Sequence, residues 1–122
     1  MNKRETGSRY EAIAANYLTE HGYRILEQNY RNSFGEVDII AEKNSVLIYI
    51  EIKYRSSSRY GDPLEAVDVR KQRRICKVAA YHYAQHGRRE GRPCRFDVIG
   101  IYGDGRIEHI KNAFEYQSSY RD

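Results

Sequence analysis

The segment GEVDIIAEKNSVLIYIEIKYR, residues 35–55, decides the fold. On both sides of Asn44-Ser45 polar and apolar residues alternate with the period of a β-strand, and two residues suffice for a tight hairpin turn. That turn sets Asp38 opposite Glu51, Glu36 opposite Lys53, and Ile40 opposite Tyr49. Val37, Ile39 and Ala41 then meet Ile52, Ile50 and Ile48 on an apolar face that reads as core. Glu36, Asp38, Glu51 and Lys53 gather on the other face.

Opposed side chains on paired strands have Cβ atoms about 5 Å apart, where like charges repel. Asp38 and Glu51 facing each other therefore call for something positive between them. Mg²⁺ (or Mn²⁺) fits, since it takes oxygen ligands from one or two carboxylates, water and a substrate phosphate. Lys53, two residues beyond Glu51, points the same way and can reach a phosphate or an attacking water. A metal and a lysine together supply an activated nucleophile and charge neutralisation at phosphorus, the needs of phosphodiester hydrolysis. The pattern is equally that of a solvent-facing strand surface with ordinary ion pairs, such as Glu36 with Lys53.

Outward from the hairpin, helical spacing of Ala12, Ala15, Tyr17 and Leu18 predicts a helix from about Arg4 to His21, closed by Gly22. Tyr23 to Arg31 reads as a short strand, followed by a turn at Ser33-Phe34-Gly35. Asp62-Pro63-Leu64-Glu65 is a helix-start signal, and the helix it opens runs to about Gln85 with an interruption near Asp68. HGRREGRP reads as a loop. CRFDVIGIY and RIEHIKNAF are strands joined by a Gly103-Asp104-Gly105 turn. The order α-β-β-β-α-β-β predicts an α/β (α+β) fold, a mixed β-sheet flanked by helices.

The 122 residues suit one domain, spanning 1–122 with a core over about 5–112 and a C-terminal tail at 113–122. The longest apolar run, VLIYI at 46–50, is far shorter than the ~20 residues a membrane helix needs, so no membrane partner is expected. No secretory signal is visible, and two cysteines fit a reducing, cytoplasmic setting.

Charge is unevenly placed. Between Arg70 and Arg95 stand nine Lys/Arg against one acid, Glu90, so this segment is +8 in a chain of net charge +4. A basic block on a mildly acidic body is the footprint of a polyanion partner. On a helical wheel Arg70, Arg73, Arg74 and Lys77 share an outer arc, suited to contacts with nucleic-acid phosphates. Ile75, Val78, Ala79 and Tyr83 face the sheet. Lys71 and Gln72 fall on the inward side, where they either border the site and touch a phosphate or base, or snorkel at the helix margin.

Asp38 followed by Glu51-Ile52-Lys53 resembles the D…ExK signature of the PD-(D/E)XK nuclease superfamily, with its restriction-endonuclease-like fold. More closely, the chain resembles the YraN family of bacterial proteins, related to archaeal Holliday-junction resolvases. The resemblance covers about Gly7 to Tyr102. It rests on Gly7…Glu11…Ala14, Tyr17-Leu18…Gly22-Tyr23, Gly35-Glu36-Val37-Asp38, Glu51-Ile52-Lys53, Lys71-Gln72-Arg73-Arg74 and Arg95-Phe96-Asp97-Val98, in that order. Tyr10 stands where the family pattern has glycine, and Val37 where the superfamily motif has proline.

The resemblance implies Asp38 and Glu51 as ligands of Mg²⁺, Lys53 as an aid to the attacking water, and Glu11 as a further acidic ligand or water-orienting group. It implies a metal-dependent endonuclease acting on DNA, with branched or junction DNA as the expected substrate. Residues 54–63 would then form a loop over it. Junction-cleaving relatives act as dimers, which suggests a homodimer. The alternatives are a nucleic-acid-binding protein without catalysis and a partner-dependent subunit of a DNA-processing complex. Cys76 reads as core and Cys94 as exposed. Asp97 reads as structural or capping, and Tyr54 and Tyr60 as candidates for stacking on bases. His82 and His86 have the i, i+4 spacing of a metal pair but no third ligand nearby in sequence, so no zinc site is expected.

Overall fold

The computed structural model describes residues 3–55, 63–86 and 91–117. The element order is α1 (Lys3–Glu20), β1 (Arg24–Asn32), β2 (Gly35–Lys43), β3 (Val46–Arg55), a 3₁₀ turn (Pro63–Ala66), α2 (Val69–His86), β4 (Cys94–Tyr102) and β5 (Ile107–Phe114). The strands form one sheet in the order β1-β2-β3-β4-β5. All neighbours are antiparallel except β3 and β4, which run parallel and are joined through α2. This is the expected mixed sheet flanked by helices.

The hairpin forms in the register its turn dictates. Asn44 and Ser45 both have positive φ (52° and 68°), as a type I′ turn requires, and Ile39, Ile40 and Ala41 pair with Ile50, Tyr49 and Ile48. The ladder stops there. Asp38/Glu51 and Glu36/Lys53 are not backbone pairs, because β2 and β3 part at the Ile39–Ile50 pair while β3 continues along β4 to Arg55–Tyr102.

Both faces of the sheet are core, which corrects the expectation of a single apolar face. On one side Ala14 and Leu18 of α1 pack on Ile39, Ala41, Ile48, Ile50, Ile99 and Ile101. On the other, Ile75, Cys76, Val78 and Ala79 of α2 cover Ile40, Leu47, Tyr49, Phe96 and Val98. Val37 joins this second cluster rather than that of Ile39 and Ala41, so the alternation of β2 breaks at Asp38. Leu47 to Ile50 are at most 1% exposed, the mark of a central strand buried on both faces. Each such side chain contributes about 1.5–3 kcal/mol by leaving water, so the polar residues of β2 and β3 are confined to the strand ends.

The helix boundaries follow local chemistry. Gly22, at φ 88°, ends α1, and Tyr23 N–H closes back on the Leu18 carbonyl at 2.9 Å. Asp68 interrupts the second helical stretch as expected, its Oδ1 accepting from Lys71 N–H at 2.9 Å to start α2. Strand β5 runs to Phe114, which pairs with Phe96, the end that RIEHIKNAF predicts.

Buried Asp97, 1% exposed, ties three elements together. Its carboxylate accepts from Arg95 (2.9 and 3.2 Å), His109 Nε2 (2.8 Å) and the Asn112 N–H (2.9 Å). The Tyr17 hydroxyl of α1 bonds the same His109 ring at 3.0 Å. The structural reading of Asp97 therefore stands.

Candidate active site

Where β2 and β3 part, a side chain replaces the missing backbone pairing. Asp38 Oδ2 accepts from the Ile52 N–H at 2.8 Å. That bond pins the carboxylate next to Glu51, whose neighbour Lys53 sends Nζ to within 3.5 Å of Glu51 Oε2. Glu51 and Lys53 are both mostly buried, their side chains 13% and 19% exposed.

The electrostatics are those of a buried cluster of mixed charge. Burial and the Glu51 carboxylate push the Asp38 carboxyl up from 3.8 to about 7, against the pull of the Ile52 N–H. Glu11 and Glu36 raise it further, which places both acids within electrostatic reach of Asp38. Burial raises Glu51 as well, while Lys53 and Lys71 hold it down. Lys71, on the first turn of α2, meets Lys53, and that neighbouring ammonium lowers its proton affinity. Two carboxylates and two ammoniums thus meet where β3 leaves β2, with Glu11 approaching from α1. The converging acids offer only oxygen donors, the set that a hard divalent cation such as Mg²⁺ takes.

The structure brings Asp38, Glu51, Lys53, Glu11 and Lys71 together, with Glu36 also within electrostatic reach but forming no ion pair with Lys53. Glu36 pairs instead with Arg31 on β1, at 3.0 Å. Arg70, Arg73, Arg74 and Lys77 are all exposed, forming the outer arc read from the helical wheel. Gln72 is otherwise occupied: its Nε2 donates to the Val67 carbonyl at 2.9 Å, and its Oε1 accepts from Gln117. Arg74 lies over Gly35, where an added Cβ would sit 3.3 Å from the arginine's aliphatic stem.

Two features of the site were not read from sequence. Asn29, on β1, donates to Glu11 Oε1 at 3.2 Å and so holds that acid from the sheet side. Its φ of 56° is unusual within a strand, and asparagine is a residue that tolerates this conformation. Tyr10, next to Glu11, stacks on Tyr54, next to Lys53, with ring centroids 4.2 Å apart. The loop expected over the site falls largely on residues 56–62, and Tyr60 with it, outside the described residues.

The model of "Uncharacterised protein family UPF0102" matches residues 10–101. The chain belongs to the UPF0102 family. Its similarity to curated members runs over nearly the whole length. A UPF0102 protein of Lachnoclostridium phytofermentans is 45% identical over 119 residues, covering 98% of this chain and all of that one. A member from Fusobacterium nucleatum is 46% identical over 112 residues, covering 92% of each chain. A third, from Syntrophus aciditrophicus, is 49% identical over 113 residues, covering 90% of this chain and 88% of that one. The UPF0102 match encloses Glu11, Asp38, Glu51, Lys53 and the basic arc of α2, while β5 lies beyond it. No described helix is long and apolar enough to cross a membrane.

Proposed function

We propose that this UPF0102 protein is a metal-dependent endonuclease that hydrolyses phosphodiester bonds in DNA, with branched or junction DNA as its substrate. The observation that carries the reading is the Asp38–Glu51 pair. Two mostly buried carboxylates are held close enough that Glu51 raises the proton affinity of Asp38, burial raises that of both, and Lys53 stands 3.5 Å from Glu51. A merely structural acid pair in that setting would destabilise the fold without return.

Asp38 and Glu51 would hold Mg²⁺ or Mn²⁺, with Glu11 supporting from α1. Bound there, the ion supplies a water of lowered pKa and neutralises charge at phosphorus. Lys53 stabilises the negative charge that develops on the phosphate oxygens, and Lys71 adds a second ammonium from α2. Arg70, Arg73, Arg74 and Lys77 track the phosphate backbone, positioning the nucleic acid without reading its sequence. The resemblance to junction-cleaving enzymes supports a homodimer as the working form.

The test is cleavage of a labelled panel (duplex, single strand, flap and four-way junction) with Mg²⁺ or Mn²⁺, beside Asp38→Ala and Lys53→Ala. Cutting by the wild type that both variants lose, with DNA binding retained, supports the reading and identifies the substrate. Salt-sensitive binding with no cleavage under either metal overturns it. That outcome leaves a binding protein, or a subunit whose activity needs a partner.

A further inference from the structure

A second cluster of ligating side chains stands at the other end of α2. His82 and His86 lie one turn apart in the last part of this helix, their rings stacked at 4.4 Å. The strand β1 brings Glu27 to them, with Oε2 at 3.5 Å from His82 Nε2. One donor atom from each of the three residues falls within 4.8 Å of the others. From Lys71 to His82 is eleven residues of helix, about 16 Å, so this cluster is separate from the Asp38–Glu51 site.

We propose that Glu27, His82 and His86 form a site for a Zn²⁺-class transition metal that fastens the last turn of α2 to β1. The donors are two imidazoles and one carboxylate. Imidazole favours zinc and its neighbours over Mg²⁺ or Ca²⁺, so the set differs in kind from the all-oxygen cluster of Asp38 and Glu51. Tetrahedral zinc with bonds of about 2.0–2.1 Å needs donors about 3.4 Å apart. The Glu27–His82 pair already has that separation. Glu27 and His86 are exposed and free to turn their side chains inward, and water takes the fourth position.

An independent feature orients the central ligand. His82 is 3% exposed, and its Nδ1 lies 2.9 Å from the hydroxyl of buried Tyr49. With Nδ1–H donating to Tyr49 Oη, the Nε2 lone pair points at Glu27 and is open to a metal. Metal-bound histidines commonly have their second nitrogen held this way, which sets the tautomer and ring orientation. In the metal-free protein the ring takes the opposite tautomer, Tyr49 O–H donating to Nδ1 at 2.9 Å and Nε2–H facing the Glu27 carboxylate 3.5 Å away. On metal binding the ring proton moves from Nε2 to Nδ1 with no net release from the histidine, and the Tyr49 hydroxyl hydrogen turns away from the ring.

The experiment titrates the full chain with Co²⁺ and Zn²⁺ in an Asp38→Asn, Glu51→Gln background, which removes the carboxylate site. The expected result is one equivalent of tightly bound metal and a Co²⁺ d–d spectrum of tetrahedral intensity that Zn²⁺ abolishes. His86→Ala and Glu27→Gln alter exposed residues, so the chain still folds, and each weakens binding at least ~10-fold. Tyr49→Phe keeps the ring but loses the hydroxyl, and weakens binding about 10–100-fold. Binding unchanged in both His86→Ala and Glu27→Gln overturns the proposal. So does a thiolate-to-metal charge-transfer band, which would assign the metal to Cys76 or Cys94, or no binding at all by the folded protein.

Discussion

Replacing Asp38 with Asn removes a charge that the metal-free fold holds at a cost. The substitution keeps the shape of the side chain and an oxygen to accept the Ile52 N–H. Raising the carboxyl from 3.8 to about 7 corresponds to about 4 kcal/mol lost from the folded state once the group is ionised. Coupling to Glu51 spreads this cost over the pair, so Asp38→Asn recovers about 2–4 kcal/mol. The sign follows from proton binding. Between pH 3.8 and about 7 the folded wild type binds more protons than the unfolded chain, so its stability falls as pH rises through that window. The advantage of the variant is therefore absent near pH 4, grows up to about pH 7, and is constant above. At about 4 °C per kcal/mol for a chain of this size, Tm should rise by roughly 8–16 °C near pH 8 in EDTA. Thermal unfolding at a series of pH values measures it. A variant no more stable than the wild type near pH 8, or a gain that does not shrink towards pH 4, would refute the reasoning.

Three further outcomes are expected. Asp97→Ala leaves the Arg95 guanidinium and the His109 ring with only the Tyr23 and Tyr17 hydroxyls as partners and should cost about 3–5 kcal/mol in chemical denaturation. Since the carboxyl of Asp97 is held below 3.8 by His109 and Arg95 against the effect of burial, its contribution is full above that pH and is lost as pH falls below it. Gly35 has φ 144°, strained for any other residue, and an added Cβ would press on Arg74 and Val78 at 3.3–3.4 Å, so Gly35→Ala should lower stability by roughly 1–3 kcal/mol, read from the denaturation midpoint. Changing Arg70, Arg73, Arg74 and Lys77 together to Gln should weaken DNA binding at all sequences alike. The slope of log K against log salt should fall by up to about 3–4, and an unchanged slope would remove the basic arc from the interface.

Much of the architecture was legible because it is written in local chemistry. Asn44-Ser45 and the flanking alternation determine the register over residues 39–50. The helical wheel placed Arg70, Arg73, Arg74 and Lys77 outward and Ile75, Val78 and Ala79 inward, since a 3.6-residue period admits one such division. What escaped was set by tertiary packing. Strict alternation carried the ladder through Asp38, but covering β2 from both sides moves Val37 to the α2 face and ends the pairing. Glu36 found Arg31 because β1 lies on its open side, which no hairpin argument includes. Gln72 looked available for a phosphate or base until Val67 and Gln117 closed around it. Glu27 completes the histidine pair only because β1 lies beside the end of α2, and no local spacing joins residues so far apart in sequence.

The central claim is that Asp38 and Glu51 hold the metal that cleaves DNA. Single-turnover cleavage of a labelled four-way junction, followed across a Mn²⁺ titration, tests it most directly in wild type and Glu51→Gln with both proteins saturating the DNA. Metal-dependent cutting by the wild type and a loss of several orders of magnitude in Glu51→Gln are expected, with junction binding intact. Equal cutting by the two proteins, or cutting that persists in EDTA, would contradict it.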